Sequence, residues 1–208
     1  MRTIYCYQRI KNQIWKWGCC AIVMFLLWAA TPPIAGATLL QVPVEIAQLQ
    51  STTSIFESIL EPLRRTKIPL RLPTQISLKL PIHAVLWNAS SQSYQIALTT
   101  RPDCRSNYCR NGLISAEKLL SNTPSIKSEY AFLNDPAFRP IERSPDPFGS
   151  ISLASGIQGF FVPWVLGANY SDAKVIWEQS GYRYTVSLKK GDRQTLIDMA
   201  NSAINSSP

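Results

Sequence analysis

The chain has 208 residues, 46% hydrophobic and 16% charged, with 21 basic and 13 acidic side chains and a formal net charge of +8. That apolar share supplies a packed core for one domain of ordinary size, while 15 prolines and 9 glycines argue against an architecture of long helices. Four of the cations fall within the first sixteen residues, so the remainder is mildly basic, which permits contact with an anionic lipid, cell-wall polymer or polysaccharide without demanding one.

The N-terminus has the three parts of an export signal. Arg2, Arg9, Lys11 and Lys16 form a positive region, Cys19 to Ala30 is an unbroken apolar run, and Ala35-Gly36-Ala37 offers small residues for peptidase cleavage after the Pro32-Pro33 break. The run is shorter than the roughly 18–20 residues that span a bilayer. The expectation is a signal peptide over 1–37, a mature chain beginning at Thr38, and no retained transmembrane helix. Residues 38–208 then form a single exported domain, secreted or periplasmic.

An extended lead-in, Thr38 to Pro43, precedes "STTSIFESILEPLRRTK". There Ile55, Ile59, Leu60 and Leu63 recur at helical spacing, with Thr53 or Ser54 as N-cap and Pro62 as a late break or kink. "IPLRLPTQISLKLP" carries prolines at 69, 73 and 81, which exclude a central strand and predict an extended edge segment. "HAVLWNASSQSYQIALTT" alternates on two arms around a polar turn and predicts a hairpin. His83 opens its first arm; a single histidine without a placed carboxylate reads as structural rather than catalytic.

Cys104 and Cys109 are the two cysteines that remain once a signal is removed, and in an exported chain such a pair reads as a disulfide pinning a loop. A redox pair is the alternative, although Cys-x4-Cys among turn formers departs from the usual Cys-x-x-Cys. Two thiols and one histidine make a thin metal set, and no cofactor motif accompanies them. Arg101, Arg105 and Arg110 surround Tyr108 in this loop, a grouping suited to an anionic or sugar-bearing polymer with the tyrosine stacking, or simply a solvated loop. "GLISAEKLL" is a strand or a short helix. Residues 121–149 read as a long connection with one strand near Tyr130–Leu133 and a missed element.

"SISLASGIQGFFVPW" predicts two short strands turning near Gly156 and Gly159. Beyond them, Pro163 and Trp164 are either buried or an apolar tip aimed at a membrane or partner. A second hairpin, "AKVIWEQ" and "YRYTVSL", turns at Ser180-Gly181. Alternation buries Val175, Trp177, Tyr184, Val186 and Leu188 and leaves Glu178 and Arg183 on the solvent face as a cross-strand pair. Asp192 then caps a helix whose Leu196, Met199, Ala200 and Ala203 share one stripe. The expected fold class is α+β, a mainly antiparallel sheet with flanking helices on one face. Asn88, Asn169 and Asn205 begin Asn-x-Ser sequons, relevant only in a glycosylating host.

The order "GIQGFF", "VIWEQSGYRYTVSL", "LIDMANSAI" over Ile151–Ile204 resembles a small extracytoplasmic domain of unknown function in bacterial envelope proteins, met in anti-sigma regulators and spore-associated proteins. It is also similar to exported cyanobacterial proteins of unassigned role. The resemblance covers about the last quarter of the chain and implies fold and compartment, with no catalytic residues. The expectation is a chain without the sigma-binding segment and retained membrane helix of the regulators, which sets it apart from regulation by that route.

No Gly-x-Ser-x-Gly elbow, His-Glu-x-x-His or phosphate-binding glycine loop occurs. The expectation is therefore a non-enzymatic envelope module that binds or senses an anionic envelope polymer or an envelope protein, and not nucleic acid. The candidate contacts are Arg101, Arg105, Tyr108, Arg110 and Trp164. The alternatives are a hydrolase whose site assembles from distant residues, and a structural accessory of an envelope complex.

Overall fold

The computed structural model describes residues 53–78, 81–166 and 172–206. The expected signal peptide, its cleavage before Thr38, the extended lead-in and the Asn169 sequon lie outside the described residues, as do the side chains of the two proposed N-caps. Among the described residues no helix is long and apolar enough to cross a membrane.

Period-two alternation builds most of the molecule. The strands are β1 (His83–Ala89), β2 (Ser93–Thr99), β3 (Arg110–Lys118), β4 (Glu142–Arg143), β5 (Gly149–Ser152), β6 (Gln158–Val162), β7 (Val165–Leu166), β8 (Asp172–Gln179) and β9 (Tyr182–Lys189). Seven of them form one antiparallel sheet in the order β1-β2-β3-β9-β8-β6-β5, and β4 pairs with β7 in a separate short ladder. Both predicted hairpins are present. The turn of the second places Ser180 at φ 53° and Gly181 at φ 82°, the double left-handed geometry that matches a two-residue connection to the twist of its strands. "GLISAEKLL" resolves as strand β3, which fills the sheet between the two hairpins.

One face carries the main core. Tyr94, Ile96, Leu98, Ile114, Val175, Trp177, Tyr184 and Val186 point from it into a cluster completed by two helices. The first, α1 (Thr53–Arg65), contributes Phe56, Ile59 and Leu63 and runs three residues past Pro62. It stops where Thr66 turns its hydroxyl onto the Leu63 carbonyl, 2.7 Å away, and Lys67 enters the left-handed region ahead of Pro69. The last helix, α3 (Arg193–Asn205), begins at Asp192, whose Oδ1 accepts the Thr195 N–H at 2.8 Å. It buries Leu196, Met199, Ala200, Ala203 and Ile204 over β8 and β9. The stacked pair Trp177–Tyr184, with centroids 5.4 Å apart, occupies adjacent strands beneath it.

The proline-rich segment 68–78 joins no ladder among the described residues, which corrects the expected edge segment. Its backbone instead collects the polar ends of core side chains. Tyr184 donates its hydroxyl to the Pro69 carbonyl at 3.0 Å, Tyr94 accepts from the Arg71 N–H, and Ser206 at the end of α3 donates to the Leu72 carbonyl at 2.8 Å.

Residues 126–134 are helical rather than a strand: α2 (Ile126–Glu129), capped by the Ser125 hydroxyl, leads into a 3-10 turn, Ala131–Asn134. Ile126, Tyr130 and Leu133 form with Val162, Val165 and Ile176 a second, smaller core on the opposite face of the sheet. Trp164 is 9% exposed, sits in the main core, and lies under the Lys190 ammonium, 5.1 Å from the ring centroid. Pro163 is buried beside it. The projecting apolar tip offered as one reading is therefore absent. The β4–β7 ladder folds the segment back, and burying an indole is worth more than exposing it to water.

Candidate functional site

The five candidate contacts do not assemble into one surface. Tyr108 is 98% exposed. Arg101 pairs with Asp103 at 3.6 Å in solvent, and Arg105 donates to the Leu86 carbonyl on β1 at 2.7 Å. Arg110 points elsewhere: it is nearly buried in an ion pair with Asp172 and donates from Nε to Asn107 at 3.2 Å. The disulfide Cys104–Cys109 is present, with Cα atoms 6.1 Å apart. It closes the loop so that Arg105 ties to the edge strand while Asn107 and Arg110 reach the open face of the sheet.

That face holds a cavity of about 470 Å³, within the range of small-ligand sites. Its floor follows from register. In one row across the sheet lie Gln95, Ser115, Thr185 and Ile176; in the next lie Leu113, Ser187 and Lys174. All have the parity opposite to the core residues, so the alternation that builds the core places a polar row behind it. Trp87, at an irregularity in the β1–β2 register, supplies an aromatic wall, and Tyr130 of the second core supplies another.

Ion pairs close both ends. At one, Arg110 meets Asp172, whose Oδ2 also lies 3.4 Å from the Ser187 hydroxyl. At the other, Arg183 is 5% exposed and held by Glu178 at 2.7 Å, Glu129 at 3.0 Å and Glu117 at 3.7 Å, with the Pro124 carbonyl accepting from Nη2. This corrects the solvent-facing placement of Arg183. The Glu178–Arg183 pairing is as expected, but α2 and Pro124 cover the guanidinium. Between the ends, Lys174 Nζ lies 3.5 Å from the Tyr130 hydroxyl and 5.6 Å from its ring centroid. Burial holds this ammonium below the usual lysine range against the pull of Asp172 and Glu129.

Sequence reasoning found Arg110 here and missed Gln95, Ser115, Lys174 and Thr185. Each sits at a solvent-parity position of a strand, and the one signal was that Gln95, Ser115 and Thr185 fall in one polar row once β3 is placed between the two hairpins. His83 stands apart at the start of β1, its carbonyl accepting from Thr99 at 3.2 Å. No protein-family model, no curated protein and no solved structure matches this chain.

Proposed function

We propose that this chain is the binding module of an exported envelope protein, and that its ligand sits in the cavity on the open face of the sheet. The observation that carries this reading is a ligand-sized space whose end walls are already fixed by ion pairs, so its lining is preorganised before anything enters. The charged groups there hold one another in place, an arrangement suited to retention of a ligand. Export is supported by the tripartite N-terminal sequence and by the Cys104–Cys109 bond, which an oxidising compartment maintains. The nature of the site shifts the expected contacts from the exposed loop, Arg101, Arg105 and Tyr108, to the trough that Arg110 enters.

The test is hydrogen exchange on the purified chain with and without a small-molecule extract of the envelope. Slowed exchange confined to β2, β3, β8 and β9 is expected. Unchanged exchange in those strands, or a chain recovered from the cytosol still beginning at Met1, contradicts the proposal.

A further inference from the structure

We infer that the trough selects a neutral, hydroxyl-rich ligand, a saccharide of roughly one or two rings by volume. This rests on the trough being the binding seat and adds the class of molecule it takes. The cations and anions of the lining are already committed. Arg110 and Asp172 pair with little solvent access, and Arg183 is shared among three carboxylates and a carbonyl. Lys174 is engaged by Tyr130 and lies within the fields of Asp172 and Glu129. A charged ligand at one end would have to separate the nearly buried Arg110–Asp172 pair and leave one charge unpaired, which costs more than the new pair returns, and at the other end an anion would have to displace carboxylates that Arg183 already holds.

The unspent hydrogen-bonding capacity is neutral. The side chains of Gln95, Ser115 and Thr185 border the cavity in a single row and make no hydrogen bond to a described residue. The Trp87 indole N–H is buried without an acceptor among the described residues, so it too is uncommitted. Amide and hydroxyl groups both donate and accept, as sugar hydroxyls do, and the Trp87 ring bordering the cavity suits the C–H face of a pyranose. One row of neutral donors and acceptors beside the Trp87 ring is thus complementary to a sugar ring in both its polar and its apolar parts.

The experiment is an NMR titration of the full chain with maltose, cellobiose and N,N′-diacetylchitobiose, alongside glucuronate, glucosamine and glutamate. Saturable shifts in the floor strands are expected with at least one neutral disaccharide and with none of the charged compounds. Ser115→Ala combined with Thr185→Val should weaken that binding about ten-fold, since two neutral hydrogen bonds are lost. Neither hydroxyl has a hydrogen-bond partner among the described residues, so the melting temperature should not move, which separates lost contacts from lost fold. Trough shifts from the charged compounds alone would overturn the saccharide assignment and leave the seat standing. Silence from all three neutral disaccharides overturns the assignment as well, and silence together with unaltered exchange in the envelope-extract experiment removes the seat itself.

Discussion

Arg183 on β9 reaches Glu129 on α2 across 54 residues of sequence, with Nη1 3.0 Å from Oε2. The contact fastens the short helical segment to the open face of the sheet, so one guanidinium both closes the end of the trough and anchors the element that supplies Tyr130. Replacing it with Met keeps the aliphatic stem and removes every charged contact. Its carboxylate partners are about half exposed and regain water. The expected loss is therefore about 1.5–3 kcal/mol, the range for hydrogen bonds to charged groups, rather than that of a sealed pair. Urea denaturation measures it. Hydrogen exchange should accelerate first over 125–134, and a uniform acceleration across the molecule would show that α2 does not depend on this contact.

The same residue marks where the sequence was legible and where it was not. Apolar alternation in "VIWEQ" and "YRYTVSL" predicted the strand faces, the Ser180-Gly181 turn and the Glu178–Arg183 register, because each depends on neighbours a few residues away. What covered Arg183 depended on Pro124 and Glu129, in a connection without long periodicity, where a single turn of helix leaves no pattern to read. Trp164 was ambiguous for the same reason: its burial rests on a two-residue ladder to Glu142–Arg143. The trough escaped notice because polar residues at alternate strand positions look alike whether they face bulk water or a walled cavity.

Trp177 tests the main core. It is 1% exposed, stacks on Tyr184 and lies in the cluster that includes the buried stripe of α3. Trp177→Ala removes the largest fully buried side chain among the described residues and leaves a cavity that a sheet and a helix cannot collapse around. About 3–5 kcal/mol of stability should be lost by chemical denaturation. A near-neutral result would place the indole at a surface.

The disulfide is a local device. Closing a loop with a separation of five residues is worth about 2 kcal/mol in chain entropy. Cys104→Ser should therefore leave the sheet folded at room temperature, with a cooperative melt at lower temperature. Exchange should rise over 101–111, releasing Asn107 and Arg110 from the trough end. Global unfolding at room temperature would show that the bond holds up the fold.

Alkaline pH should unfold the chain earlier than its surface charge requires. Burial pushes the Tyr184 phenol up to about 12, and burial likewise raises Tyr94, the Arg71 contacts opposing it only in part. The sign follows from proton counting. Above about 10 an unfolded tyrosine gives up its proton while the buried one keeps it. The folded state then binds more protons, and stability falls as pH rises. Below that pH the contribution is fully present. Tyr184→Phe loses the hydrogen bond to Pro69, about 1 kcal/mol at neutral pH, but it also removes one of the two groups responsible for the decline. The variant should thus start less stable and lose stability less steeply between about pH 10 and 12. Denaturant midpoints measured across that interval decide the matter: parallel curves for the two proteins would mean that Tyr184 titrates as freely folded as it does unfolded, and that its hydroxyl is not held against the proline-rich segment.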